Sequence, residues 1–151
     1  MDEHGGVRVG DGWEQVIDDM EATADEYREE GYDVVALHPG DVTTPDDGSG
    51  FDVVVPGEEF ERVQALVASS SLDETEVFRA EEEGVVYVLV VVRDGDAGVA
   101  VCCPLYYAPD RIDGVRESAA ETGQVLTYVR SLSSDEAVAI AFDRPELFFA
   151  D

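Results

Sequence analysis

The sequence predicts an α+β fold, a mainly antiparallel sheet of about six or seven strands with three helices laid over it. Three observations predict it. Residues 85–92 form an unbroken apolar run rich in β-branched residues, too short to span a membrane. The run lacks the alternation of a half-exposed strand, so it reads as a central strand covered on both faces. Residues 99–107 answer it across Asp94-Gly95-Asp96-Ala97-Gly98, whose glycines and aspartates tolerate positive φ, so the pair reads as a hairpin. Finally, apolar residues recur at helical spacing in three separate segments.

The elements follow in order. Residues 1–11 are polar and rich in glycine, a loose arm that includes His4. Trp13, Val16, Ile17, Met20, Ala24 and Tyr27 make one apolar stripe opposite a row of acids, predicting a helix over residues 12–30 with Gly31 just past its end. A short strand at 33–37 ends on His38-Pro39-Gly40-Asp41. Residues 42–51, with two threonines, Pro45, two aspartates and Gly48-Ser49-Gly50, read as a loop.

Residues 51–55 form a strand stopped by Pro56-Gly57. A helix follows over 58–70, with Glu58, Glu59 and Glu61 where the helix dipole favours acids. Residues 76–80 are a strand leading into the hairpin, and Pro104 suggests a bulge or an edge late in it. Asp110 is placed to cap a third helix over about 110–121, which Gly123 ends. Strands at 124–132 and 137–142 follow. The apolar tail Leu147-Phe148-Phe149 should pack on the body or on a partner. The expected order is α-β-β-α-β-β-β-α-β-β in a single domain spanning 1–151.

Composition bounds the function. The formal net charge is −27, and all nine basic residues are arginine. Scattered arginines cannot supply the clustered cations that nucleic-acid binding needs, so no nucleic-acid partner is expected. No leader-like segment opens the chain and no run is long enough for a membrane span, which predicts a cytoplasmic protein without a membrane partner. At molar salt the Debye length is about 3 Å, so carboxylate repulsion is screened while the acids keep the surface hydrated. Acidity through a valine-rich, lysine-free domain therefore predicts a cell interior rich in K⁺.

Cys102 and Cys103 are adjacent on a strand and point to opposite faces, so they read as buried thiols rather than a disulfide.

The lysine-free acidic chain resembles a conserved acidic protein family of haloarchaea, a likeness that supplies no chemistry. From residue 58 the order α-β-β-β-α-β-β is similar to that of small type III secretion chaperones over about 90 residues. That likeness is one of element order and carries no site residue.

Candidate chemistry concentrates after the first strand. His38, at a strand end beside a tight turn and Asp41, has the makings of a general base with its orienting acid; the alternative is a turn histidine with solvated carboxylates. Thr43 and Thr44 would add ligand-binding hydrogen bonds, as would Tyr106 and Tyr107 if they line a groove. Asp46 and Asp47, or Asp94 and Asp96 in the hairpin, are candidate oxygen ligands for Mg²⁺ or Ca²⁺, although the later ligands of a calcium loop are missing. No phosphate loop, dinucleotide fingerprint, C-x-x-C or H-E-x-x-H is present, and no cofactor is expected. The reading is a non-enzymatic, chaperone-like protein-interaction domain, expected to be a homodimer that binds another protein. The alternative is a small enzyme or ligand-binding protein around His38 and Asp41.

Overall fold

The structure, a computed structural model, describes residues 11–44, 50–133, 136–143 and 145–148. Helix α1 (Asp11–Glu29) is followed by strands β1 (Asp33–Ala36), β2 (Asp41–Thr43) and β3 (Gly50–Val54), then helix α2 (Gly57–Ser69). Strands β4 (Glu74–Glu82), β5 (Val85–Asp94) and β6 (Val99–Tyr107) come next. A short 3₁₀ turn at Pro109–Arg111 leads to helix α3 (Asp113–Thr122), strands β7 (Val125–Arg130) and β8 (Val138–Phe142), and a second 3₁₀ turn at Pro145–Leu147.

The class is α+β with three helices, as expected, but the sheet is divided. Among the described residues eight strands form two four-stranded mixed sheets, ordered β1-β6-β5-β4 and β2-β3-β7-β8. Two pairs are parallel, β1 with β6 and β3 with β7. Those pairs join segments far apart in the chain, with no turn between them to announce the contact, whereas every antiparallel pair joins strands close in sequence or topped by a hairpin. The stretch read as a loop contains β2, a strand of three residues in which Val42 lies opposite Val53. One inward valine between polar neighbours is too short a pattern to register as a strand.

Strand β5 is central, and Val85–Val92 is buried without interruption. Alternate residues serve two cores. Val91, Leu89, Tyr87 and Val85 meet α1 through Val16, Met20 and Ala24. Val86, Val88, Val90 and Val92 face the second sheet, whose Phe51, Val53, Val129 and Phe142 share a core with α2 and α3. Cys102 belongs to the first core and Cys103 to the second.

Pro104 causes no bulge, since β5 and β6 stay in register through Leu89 opposite Pro104. Cys102 C=O accepts from Leu37 N–H on the β1 side, so by the two-residue period the Pro104 nitrogen also points that way, past the end of β1. Its missing N–H therefore costs no ladder bond. Helix α3 begins at Asp113, so Asp110 lies in the preceding turn rather than at the cap; Gly123 does end it, in the left-handed region at φ 78°. Gly50 allows the parallel strands to approach, because a Cβ there would lie 1.9 Å from the Leu126 carbonyl oxygen.

The tail packs on its own body. Phe148 is fully buried and stacked on Phe142 at 5.5 Å, and its carbonyl accepts from Tyr107 Oη at 2.9 Å and Arg79 Nε at 3.1 Å. Phe149 lies outside the described residues.

Candidate functional site

His38 follows β1, and two helices meet it there. The Glu59 carboxylate, in the first turn of α2, accepts the His38 backbone N–H at 2.7 Å through Oε1 and holds Nδ1 at 2.8 Å through Oε2. Glu21 of α1 holds Nε2 at 3.1 Å. Burial pulls the imidazole pKa down, but the hydrogen bonds to Glu59 and Glu21, with their charges, outweigh it and leave the pKa above its ordinary value. The ring is therefore a staple across α1, β1 and α2. Both ring nitrogens are committed to carboxylates, and Asp41 is not among their partners.

Asp41 opens β2 opposite Val54, and its charge reaches Tyr106 instead. Burial raises the Tyr106 phenol pKa, a backbone hydrogen bond from Val42 lowers it, and the Asp41 charge raises it. The Tyr106 ring meets Trp13 edge-on at 5.2 Å. Tyr107, the next residue, points into the inter-sheet core, where its ring lies 6.1 Å from Phe51. The two tyrosines thus serve opposite faces of one sheet. Thr43 is exposed on β2, Thr44 is half-buried just after it, and Asp46 and Asp47 lie outside the described residues.

The hairpin carboxylate is spent on its own turn. Asp94 Oδ1 accepts from the N–H groups of Asp96 and Ala97, and Oδ2 accepts from Ser71 N–H at 2.8 Å. The bond from Ser71 and those within the turn hold the Asp94 pKa below its usual range. Among the described residues no group of His, Cys, Asp and Glu is arranged to hold a metal. Both cysteines are reduced and buried; burial raises the Cys102 pKa to about 11 and pushes Cys103 higher still, so neither is a thiolate at neutral pH.

The surface feature that sequence reasoning missed lies between α1 and β4. Helix α1 packs mainly over β1, β6 and β5 and reaches β4 through Tyr27, whose Oη bonds Glu76. A hollow of about 500 Å³ opens there, with Val16, Ala22, Ala80, Tyr87 and Leu89 in its walls beside Asp19, Arg79, Glu81 and Glu82. A second of about 490 Å³ adjoins it, lined by Glu26, Glu30, Tyr27, Tyr32 and Glu76. Thr23 and Phe78 belong to both. Phe78, the middle residue of β4, is 50% exposed.

The floor of the second hollow is a polar cluster. Arg93 Nε donates to Glu74 at 2.7 Å, and its guanidinium lies 3.3 Å from Glu76 and 5.5 Å from the centre of the Tyr27 ring. Tyr27 Oη donates to Glu76 at 2.8 Å and accepts from Arg93. Burial and the Glu76 contact push the phenol pKa up to about 12. Glu74 and Glu76 are thereby matched by a cation, whereas Glu26 and Glu30 pair with none among the described residues.

The family of unknown function DUF7529 matches residues 4–150. The chain belongs to that family. No curated protein and no solved structure matches. The DUF7529 fold is thus carried here by two mixed sheets, and among the described residues no helix is long and apolar enough to cross a membrane.

Proposed function

We propose that this protein is a non-enzymatic interaction domain that binds another protein, chaperone-like in taking up an exposed segment, in a cytoplasm rich in K⁺. The observation that carries the reading is β4. Among the described residues it is a nine-residue strand with one unpaired edge, and its central Phe78 is half-exposed above the more apolar of the two hollows. Exposed aromatic surface beside a free sheet edge is costly in solution and favours association. The charge of −27 with no lysine supports the high-salt setting.

The experiment is co-purification from a high-salt cytosol with wild type and Phe78→Glu in parallel. A stoichiometric protein should stay with the wild type and be lost from the variant. Equal retention by both, or no stoichiometric protein on either, overturns the reading.

A second reading places a small-molecule or catalytic site at His38. What favours it is the Glu59 carboxylate on Nδ1, the arrangement that orients a general base once Glu21 releases Nε2. Any activity that survives His38→Ala unchanged removes that reading. The engagement of both ring nitrogens by carboxylates favours the first.

A further inference from the structure

The α1–β4 flank says what kind of segment it would take, an inference that rests on the interaction reading above. Strand β4 pairs with β5 through nine consecutive positions, Glu74 opposite Arg93 through to Glu82 opposite Val85, without a bulge. Its sequence contains no proline. Among the described residues nothing pairs with the far edge, which therefore offers a regular ladder of backbone donors and acceptors, the template that β-strand addition requires. The free edges of the other sheet belong to β2, of three residues, and β8, of five. β4 is the longer template.

The side chains on β4 that face α1 are fixed by register. Phe78 lies opposite Leu89, Ala80 opposite Tyr87 and Glu76 opposite Val91, all partners from the core beneath α1. Along this face, Ala80 borders the more apolar hollow, Phe78 sits between the hollows, and Glu76 borders the more acidic one. The groove thus changes character over four residues, about 13 Å at about 3.3 Å per residue.

We propose that β4 binds an extended peptide segment by strand addition. The segment carries an apolar side chain over the Ala80–Leu89 end and a lysine or arginine four residues away over Glu26 and Glu30. Charge complementarity selects this occupant. Arg93 is already matched by Glu74 and Glu76, so a cation brought by the partner meets Glu26, Glu30 and the ring of Tyr32. A second copy of this chain is the poorer fit, because pairing two β4 strands about Phe78 sets Glu74 and Glu76 of one copy among Glu81 and Glu82 of the other.

The test is titration of the whole chain with a blocked peptide, Thr-Leu-Thr-Val-Thr-Arg-Thr, in about 1 M KCl, followed by calorimetry and amide exchange. The peptide should bind, and the amides of β4 should gain protection. Phe78→Glu should weaken binding by about tenfold or more, as should replacing the peptide arginine by glutamate. The double variant Glu26→Arg/Glu30→Arg should reverse the preference and favour the glutamate peptide. These residues are exposed or half-exposed, and the amide spectrum of each variant reports that it is folded. No binding, binding indifferent to Phe78→Glu, or protection at another strand overturns the proposal. So does a β4 edge already protected in a dimer without peptide. If the peptide fails but Phe78→Glu still abolishes co-purification, the partner chemistry falls and the interaction reading stands; if both fail, both fall.

Discussion

Glu59 grips His38 twice, accepting its backbone N–H at 2.7 Å and its Nδ1 at 2.8 Å, so one carboxylate fixes both the end of β1 and the plane of the ring. With Glu21 on Nε2 at 3.1 Å, the ring joins two helices that are separated in the chain by three strands.

A pH dependence follows, with a definite sign. The folded-state pKa of His38 is raised above its ordinary 6.5, so its contribution is complete below about pH 6.5 and is lost as pH rises through the folded pKa. Because the ring is 42% exposed, the contribution is held to about 1 kcal/mol or less by solvent screening. The gap in Tm between wild type and His38→Gln should be widest below about pH 6.5 and close as pH rises through the folded pKa. A gap that stays constant over that range refutes the staple.

The two faces of β5 should be equally intolerant of charge. Val90 and Val91 are both fully buried, Val90 in the inter-sheet core and Val91 beneath α1. An unpaired carboxylate at either position costs several kcal/mol, a large share of the stability of an ordinary domain. Val90→Asp and Val91→Asp should each abolish the folded near-ultraviolet circular dichroism. A folded Val91→Asp protein would mean that α1 is dispensable as a cover.

Much of this architecture was legible. The unbroken run at 85–92 announced two-sided burial, and the Trp13 to Tyr27 stripe announced the helix that covers one side. The division into two sheets was not, because β1 meets β6 across more than sixty residues of chain and leaves no local mark. The His38 staple was half legible. The strand-end histidine stood out, but Glu21 and Glu59 lie 17 and 21 residues away on different helices, and among 36 acids nothing singles them out. The groove had one overlooked signal. In Glu-Thr-Glu-Val-Phe-Arg-Ala-Glu-Glu, Phe78 shares a strand face with Glu74, Glu76 and Glu82, an aromatic on the charged side of an edge strand.

The inter-sheet core contains a flaw that can be repaired. Thr127 is fully buried on β7, opposite Phe51 and Ile140, and its hydroxyl has no hydrogen-bond partner among the described residues. Valine keeps nearly the same shape and removes the unsatisfied group, so Thr127→Val should stabilise by about 1 kcal/mol. In a chain of 151 residues that corresponds to a rise in Tm of about 3 °C. A fall in Tm would show that the hydroxyl is satisfied in solution, for instance by a bound water.

Salt should govern the stability of the whole chain. The chain carries 36 acids against nine arginines, a net charge of −27 that folding concentrates and unfolding disperses. Part of the cationic charge is drawn into local pairs, Arg93 with Glu74 and Arg130 with Asp52, which leaves little to offset the acids elsewhere. At about 10 mM salt the Debye length is about 30 Å, comparable to the width of a domain of this size, so most carboxylates repel one another. At about 1 M it is about 3 Å, and only neighbours in contact still interact. Tm should therefore climb steeply through a KCl series, and the low-salt end should show partial loss of structure. Circular dichroism melts decide it. A Tm that is flat from about 0.05 M to about 3 M KCl would mean that the acids are already balanced within the fold, and the high-salt setting proposed for the protein would fall with it.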